Sequence, residues 1–166
     1  MLLRLATQED VPAMVALERM EESKRFVGQW SEERHRETLS SVDARYFVHE
    51  SATGTLSGYA ILRGLAEASG SIELKRLVVD PPGQGLGRRI LEELLHIAFG
   101  QLRAHRVFLD VFEDNPRAIH LYRSAGFEQE GVMREAALRE GRYCSLHLLS
   151  MIDREYEGRR GGAPPL

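Results

Sequence analysis

The stretch VVDPPGQGLGRRILEELL, residues 78–95, runs a β-branched apolar segment into a glycine cluster and out into an amphipathic helix. Gly83, Gly85 and Gly87 alternate. Without a Cβ, such positions take positive φ and let a ligand approach the main chain closely. The turn delivers a helix N-terminus, whose free N–H groups and dipole attract anions. Pro81 and Pro82 have no N–H, so the donors begin at Gly83. Arg88 and Arg89 carry their charge where it opposes the dipole, and a bound polyanion would account for them. The functional reading is a phosphate cradle between a strand and a helix. The plainer alternative is a tight connection with exposed arginines. Two familiar phosphate motifs do not fit: the dinucleotide fingerprint needs G-x-G-x-x-G, and the P-loop needs G-K-[ST] where this chain has Gly87-Arg88-Arg89.

Outward from this turn the periodicities alternate. Leu2–Ala6 suits a short strand. Thr7 suits an N-cap, with Asp10 three residues on and Pro12 in the first turn of a helix running to about Glu22. Ser31 opens a second helix through His35 and Leu39. Residues 45–50 and 56–63 are strand-like and joined through Ala52-Thr53-Gly54, and 72–79 leads into the glycine turn. Residues 88–102 carry Ile90, Leu91, Leu94, Leu95 and Ala98 on one helical face. Residues 106–112 are apolar on both faces apart from Asp110, which marks a central strand. Asn115 as N-cap, Pro116 at the first position and Gly126 as terminator bracket a short helix. Strands 127–134 and 142–151 turn around Glu140-Gly141. The order βααβββαβαββ gives an α/β (α+β) fold: a mixed sheet with helices on both faces.

The totals bound the rest. The 166 residues fit one domain, expected over 1–155, with GRRGGAPPL ending a disordered tail at 156–166. Lys and Arg number 22 against 25 Asp and Glu, so no basic excess points to nucleic acid. MLLRLATQED turns polar too soon for a signal peptide, and no run approaches the ~18 apolar residues of a membrane span. Cys144, the one cysteine, excludes an internal disulfide and fits a reducing, cytoplasmic setting. The six histidines lack metal-ligand spacing, so no metal is expected.

Val78-Val79 before the glycine turn, the helix after it, and then LDVFEDNPRAIHLYRSAGF at 109–127 resemble the GNAT superfamily of N-acetyltransferases. The resemblance covers about residues 45–152, and it implies a mostly antiparallel sheet and acetyl-CoA as co-substrate. It also implies that the main chain of Leu77, Val78 and Val79 pairs with the pantetheine arm. The amides of Gln84, Gly85, Leu86, Gly87 and Arg88 would receive the pyrophosphate. Asn115 would contact the cofactor or brace the gap beside the central strand, and Tyr122 would stand near the thioester sulfur. One departure is Pro82, where the family usually has Arg or Gln three residues before the middle glycine; the loop is also shorter. The C-terminal segment 130–156 is similar to the branch holding ribosomal-protein-alanine and diamine (spermidine) acetyltransferases. A homodimer is compatible with that branch.

Acetyl transfer to an amine needs a neutral nucleophile, a stabilised carbonyl oxygen and a proton for the leaving thiolate. Tyr122 is the candidate acid; its alternative is packing against Ala118 and Ala125. Glu73 and Asp110 are carboxylates on otherwise apolar strands and are the candidate bases. Glu73 shares a strand face with Lys75, Leu77 and Val79 by alternation, and its alternative is an ion pair with Lys75 or Arg76. Asp110 is equally placed to bind the acceptor amine. Cys144 alternates with Leu146 and Leu148 and is expected in the core. In the family it resembles, a loop such as SKRFVGQWSEER, residues 23–34, lines the acceptor pocket, which implies that role for Phe26 and Trp30; the alternative is that both cap the core. Glu18, Glu21 and Glu22 form a negative cluster for a cationic amine or a solvated face, with Glu21 and Arg25 at i,i+4. A protein N-terminus and a polyamine remain open as acceptors. A non-catalytic acyl-CoA-binding module and a nucleotide-binding protein stand as alternatives, the second disfavoured by motif spacing.

Overall fold

The structure, a computed structural model, describes residues 2–161. Its elements in chain order are β1 (Arg4–Leu5), a 3-10 turn (Gln8–Asp10), α1 (Val11–Glu18), α2 (Glu32–Leu39), β2 (Ala44–Glu50), β3 (Leu56–Arg63) and β4 (Ser71–Val79). There follow α3 (Leu86–Leu95) with a π-helical extension (His96–Gln101), β5 (Arg106–Phe112), α4 (Pro116–Ser124), β6 (Glu128–Arg139), β7 (Arg142–Ile152) and α5 (Asp153–Gly161). Among the described residues the strands form one sheet ordered β1-β2-β3-β4-β5-β7-β6. It is antiparallel throughout except for β4 with β5, which are parallel and joined through α3.

β4 and β5 pair only between Ser71–Glu73 and Arg106–Phe108, and then part. The cause is visible against β3, where Ile61 partners Arg76 and Leu62 partners Leu74. Lys75 is left as the extra residue of a β-bulge, which bends its strand and slips the alternation of side chains by one. Before the bulge, Ile72 and Leu74 join the core beneath α3, formed with Ala60, Leu62, Ile90, Leu91, Leu94, Val107 and Leu109. After it, Leu77 and Val79 pack on that core, while Val78 joins the core beneath α1 with Val11, Met14, Val15, Tyr46, Tyr59 and Ile61. The grouping of Glu73 with Leu77 and Val79 on one face is therefore corrected: the bulge puts them on opposite faces.

Several boundaries also differ from expectation. α1 ends at Glu18 rather than near Glu22, and the chain continues in turns to Val27. β6 runs on to Arg139 through two irregularities, at Gln129/Gly131 and Met133/Ala137, with Glu135 at φ 50°. The Glu140-Gly141 hairpin forms as expected, both residues at positive φ. The tail expected from 156 is helical to Gly161, because Tyr156 stacks on Phe99 with ring centroids 4.7 Å apart; the remaining residues lie outside the described ones. Cys144 is half-buried on the hairpin rather than inside the core. Among the described residues no helix is long and apolar enough to cross a membrane.

Candidate active site

Where β4 and β5 part, a cleft of about 850 Å³ opens. Its walls come from β4 (Leu74–Val79), β5 (Asp110–Phe112), the start of α4, the α1–α2 segment and β6. Leu77, Val78 and Val79 pair with β3 on one side only, through Ala60, Tyr59 and Gly58, so their opposite main-chain edge faces the cleft with no strand on it. A ligand with amide groups can pair there as a strand would.

At the upper end of that edge lies the glycine turn. Gly83 and Gly85 take φ of 80° and 79°, and a Cβ at either would meet nothing within 4 Å, so it is the backbone conformation that calls for glycine. Gly85 is the N-cap of α3. The first main-chain N–H to bond back belongs to Arg89, at 3.2 Å from the Gly85 carbonyl; those of Gln84 through Arg88 find no main-chain partner among the described residues. They form a set of free donors at a helix N-terminus, the chemistry of an anion site. Gly87 has ordinary φ and lines the cleft itself. The Arg88 guanidinium is turned toward α4, where it donates to the Ser124 hydroxyl and lies 3.8 Å from the Glu92 carboxylate. Only its amide is aimed at the turn.

Across the cleft stands α4. The Asn115 side-chain oxygen caps it by accepting from Ala118 N–H at 3.2 Å, and Asn115 also lines the cleft. Two turns on, Tyr122 is 8% exposed, edge-on to Phe127 at 5.8 Å, and lines the cleft. Burial, with the charge of Asp110 adding to it, pushes the phenol well above the ordinary tyrosine range. It holds its proton firmly at neutral pH. Asp110 faces the cleft from β5 and is reached by solvent, yet the surrounding protein raises its carboxyl above the usual range. Lys75 offsets part of that rise and Glu73 adds to it.

Glu73 is placed elsewhere. Its carboxylate accepts from Arg63 Nη2 at 2.6 Å and Nε at 3.0 Å, with Lys75 Nζ at 3.6 Å. It lines a separate hollow of about 330 Å³ with Asp43, Ser71 and Arg106, not the cleft. Phe26 and Trp30 line the cleft, and Trp30 is also 7% exposed in the α1-side core. Of the acidic cluster only Glu22 reaches the cleft; Glu21 pairs with Lys24 at 2.7 Å, while Arg25 pairs with Asp114.

Sequence reasoning missed the group beneath the part of the cleft wall that the α1–α2 segment supplies. Glu18 and His35 are fully buried, with Tyr46, Tyr59 and Arg76 around them. Glu18 occupies the same helical stripe as Val11, Met14 and Val15, and that spacing was the available signal. Arg76, considered only as a partner for Glu73, is turned by the bulge onto the α1 side of the sheet and meets Glu18 instead.

A model of the acetyltransferase (GNAT) family matches residues 13–127. The chain is 38% identical over 118 residues to the N-alpha-acetyltransferase RimI of Mycobacterium tuberculosis, covering 68% of this chain and 72% of that one. It is 30% identical over 116 residues to the spermidine N(1)-acetyltransferase of Vibrio cholerae, covering 69% and 67%. A solved structure of a mutant V. cholerae spermidine N-acetyltransferase superposes with a TM-score of 0.84 at 26% identity, over 96% of this chain and 99% of that one. The parted strands, the unpaired β4 edge and the glycine turn thus have their explanation: the chain belongs to the acetyltransferase (GNAT) family.

Proposed function

We propose that this N-acetyltransferase moves the acetyl group of acetyl-CoA directly onto a primary amine within the β4/β5 cleft, with Tyr122 and Asp110 as its proton-handling groups. One observation carries the reading: the free β4 edge, Gly87 of the glycine turn, the Tyr122 phenol and the Asp110 carboxylate line one cavity, and the free amides of that turn lie next along the chain. Members of the family use acetyl-CoA as co-substrate. Here Leu77–Val79 would pair with the pantetheine amides, Gln84–Arg88 would hold the diphosphate, and a main-chain N–H of β4 would polarise the thioester carbonyl. Asp110 would take the proton of the attacking amine, directly or through water. As the C–N bond forms and the C–S bond breaks, Tyr122 would protonate the departing sulfur. Glu73 is set aside as the base because Arg63 occupies it.

The lining charges bear on the acceptor. Arg34, Lys75, Arg76 and Arg117 face Glu22 and Asp110, so among the described residues the cleft lacks the convergent carboxylates that a polycation needs. An α-amine, with pKa about 8 rather than about 10.4 for an alkylamine, also presents more neutral nucleophile at pH 7. A peptide or protein N-terminus is the favoured acceptor. Assembly into a homo-oligomer is part of the proposal, since the V. cholerae spermidine enzyme is described as dodecameric; light scattering checks it.

The test is thiol release from acetyl-CoA across spermidine, lysine and peptides with free or blocked N-termini. Free-N-terminal peptides are expected to react fastest and blocked ones not at all. Faster release with spermidine would reverse the acceptor assignment. Tight acetyl-CoA binding with no release from any amine would leave a non-catalytic acyl-CoA module.

A further inference from the structure

The acceptor wall formed by Gly28, Gln29 and Trp30 makes no main-chain hydrogen bond of its own among the described residues. Apart from the bond of Gln29 Nε2 to the nearby Val27 carbonyl at 3.1 Å and the Arg34 guanidinium 4.0 Å over the Trp30 ring, its polar ties run to two side chains and one helix end. Trp30 N–H donates to Glu18 Oε2 at 3.3 Å, and Gln29 Nε2 donates to the Glu18 carbonyl at 2.8 Å. The Gly28 carbonyl accepts from Arg76 Nη2 at 2.9 Å, and the same guanidinium lies 4.6 Å from the centre of the Trp30 ring. A Cβ on Gly28 would come within 3.0 Å of that Nη2, so glycine here makes room for the guanidinium. Gly28, Trp30 and Arg76 all line the cleft.

The charge on Arg76 is answered from inside. Its Nε lies 3.3 Å from Glu18 Oε1, which also meets His35 Nε2 at 2.9 Å and accepts from the Tyr59 hydroxyl. His35 Nδ1 meets the Tyr46 hydroxyl at 3.1 Å. A buried pair of this kind adds little stability compared with apolar residues of the same volume, and breaking one member of it is costly. What this pair supplies is direction: a planar guanidinium with one donor on the carboxylate, one on a wall carbonyl and its face on the wall's indole.

We infer that Arg76, neutralised by Glu18, is a positioning residue that sets the Gly28–Trp30 wall and through it acceptor recognition, leaving acetyl-CoA binding alone. The inference rests on the amine-transfer reading above, but the placement of the wall can be measured without turnover. Trp30 is the sole tryptophan of the chain, so its fluorescence reports the wall directly.

Arg76→Met alone would strand the Glu18 charge in the interior. The informative variant is Glu18→Gln/Arg76→Met, which removes both charges while keeping one carbonyl oxygen at position 18, enough for the Tyr59 hydroxyl or for Trp30 N–H but not both, since in the parent they meet different oxygens. Relative to the parent, Tm is expected to stay within about 5 °C, acrylamide quenching of Trp30 to rise about threefold, acceptor KM to rise about tenfold, and acetyl-CoA affinity to hold within about twofold. A folded double variant with parental quenching and acceptor KM overturns the inference, as does an equal loss of acetyl-CoA affinity. If the double variant does not fold, Arg76→Lys takes its place. A lysine keeps the counter-charge but cannot bond Gly28 and cover the indole together, so the same rise in quenching and KM is expected, and parental values overturn. A parent protein that acetylates no amine counts against the transfer reading, and the quenching comparison then still supports or overturns the placement of the wall.

Discussion

At the scale of single residues, the proposed chemistry depends on two groups whose surroundings hold their protons more tightly than water would. Tyr122 stays a phenol because burial, reinforced by the nearby Asp110 charge, opposes its ionisation. Tyr122→Phe is expected to lower kcat about 100-fold with acetyl-CoA affinity unchanged, because a positioned acid acts on the transition state and not on binding. Steady-state kinetics beside calorimetry separates the two, and an unaltered kcat removes Tyr122 from the chemistry. Asp110 has a carboxyl raised above its ordinary 3.8, first by burial. The sign follows from linkage: the folded state prefers the protonated form, so Asp110 costs stability as pH climbs past the unfolded value. Asp110→Asn is therefore expected to raise Tm at pH 7, by an amount that shrinks as pH falls toward 4, while acetyl transfer drops by at least about tenfold. Thermal melts across that range, paired with the thiol assay, check both halves. Glu73 shows how a residue type can mislead: a carboxylate on an apolar strand was legible, but its Arg63 partner sits on a neighbouring strand that only sheet register brings opposite.

At the scale of elements, the glycine turn and the bulge of β4 divide the labour. The turn was fully legible, because glycine, proline and helix periodicity are local signals. Two of its glycines make separable predictions. Gly85 needs positive φ, so Gly85→Ala is expected to cost about 1 kcal/mol, or about 2–4 °C in Tm, besides weakening acetyl-CoA binding. Gly87 has ordinary φ, and a Cβ there would touch Leu121 and Val79 at 3.7 and 3.8 Å, a comfortable distance. Gly87→Ala should thus leave Tm within about 1 °C and weaken acetyl-CoA binding severalfold, since the methyl enters the cleft. Equal Tm losses in the two variants would contradict this division. The bulge was not legible. Ile72, Leu74, Arg76 and Val78 are all buried in unbroken alternation, and because cores lie on both faces of the sheet, nothing in the pattern marks where the faces exchange. The same blindness hid Arg76 from Glu18.

At the scale of the whole molecule, three distant segments meet beside the cleft. Asp114, after β5, accepts from Arg139 on β6 at 2.6 Å and from Arg25 of the α1–α2 segment at 2.8 Å. Arg139, and after it Arg25, hold the Asp114 carboxyl down to about 2. A depressed carboxylate contributes stability above its unfolded pKa, and that contribution is lost as pH falls from about 4 toward 2. All three groups are partly solvated, so the effect on Tm is small. Asp114→Asn is expected to lower Tm slightly at pH 7 and to quicken amide exchange along β6, with the Tm difference fading in acid; a difference that persists at the lowest pH would mean the loss is not ionic. No spacing in the chain announces this clasp, since 89 residues separate Arg25 from Asp114. The sequence by itself determined the parts that obey short-range rules: the strand–glycine turn–helix unit, the Asn115-Pro116 helix start and the two-faced β5. Tertiary structure alone decided which carboxylate faces the cleft, which is consumed by an arginine, and that Glu18 is a buried counter-ion rather than part of an exposed acidic patch. The physical reason is that periodicity fixes a side chain's direction relative to its own strand or helix, whereas charge pairing and burial depend on strand register, and here one inserted residue shifts that register.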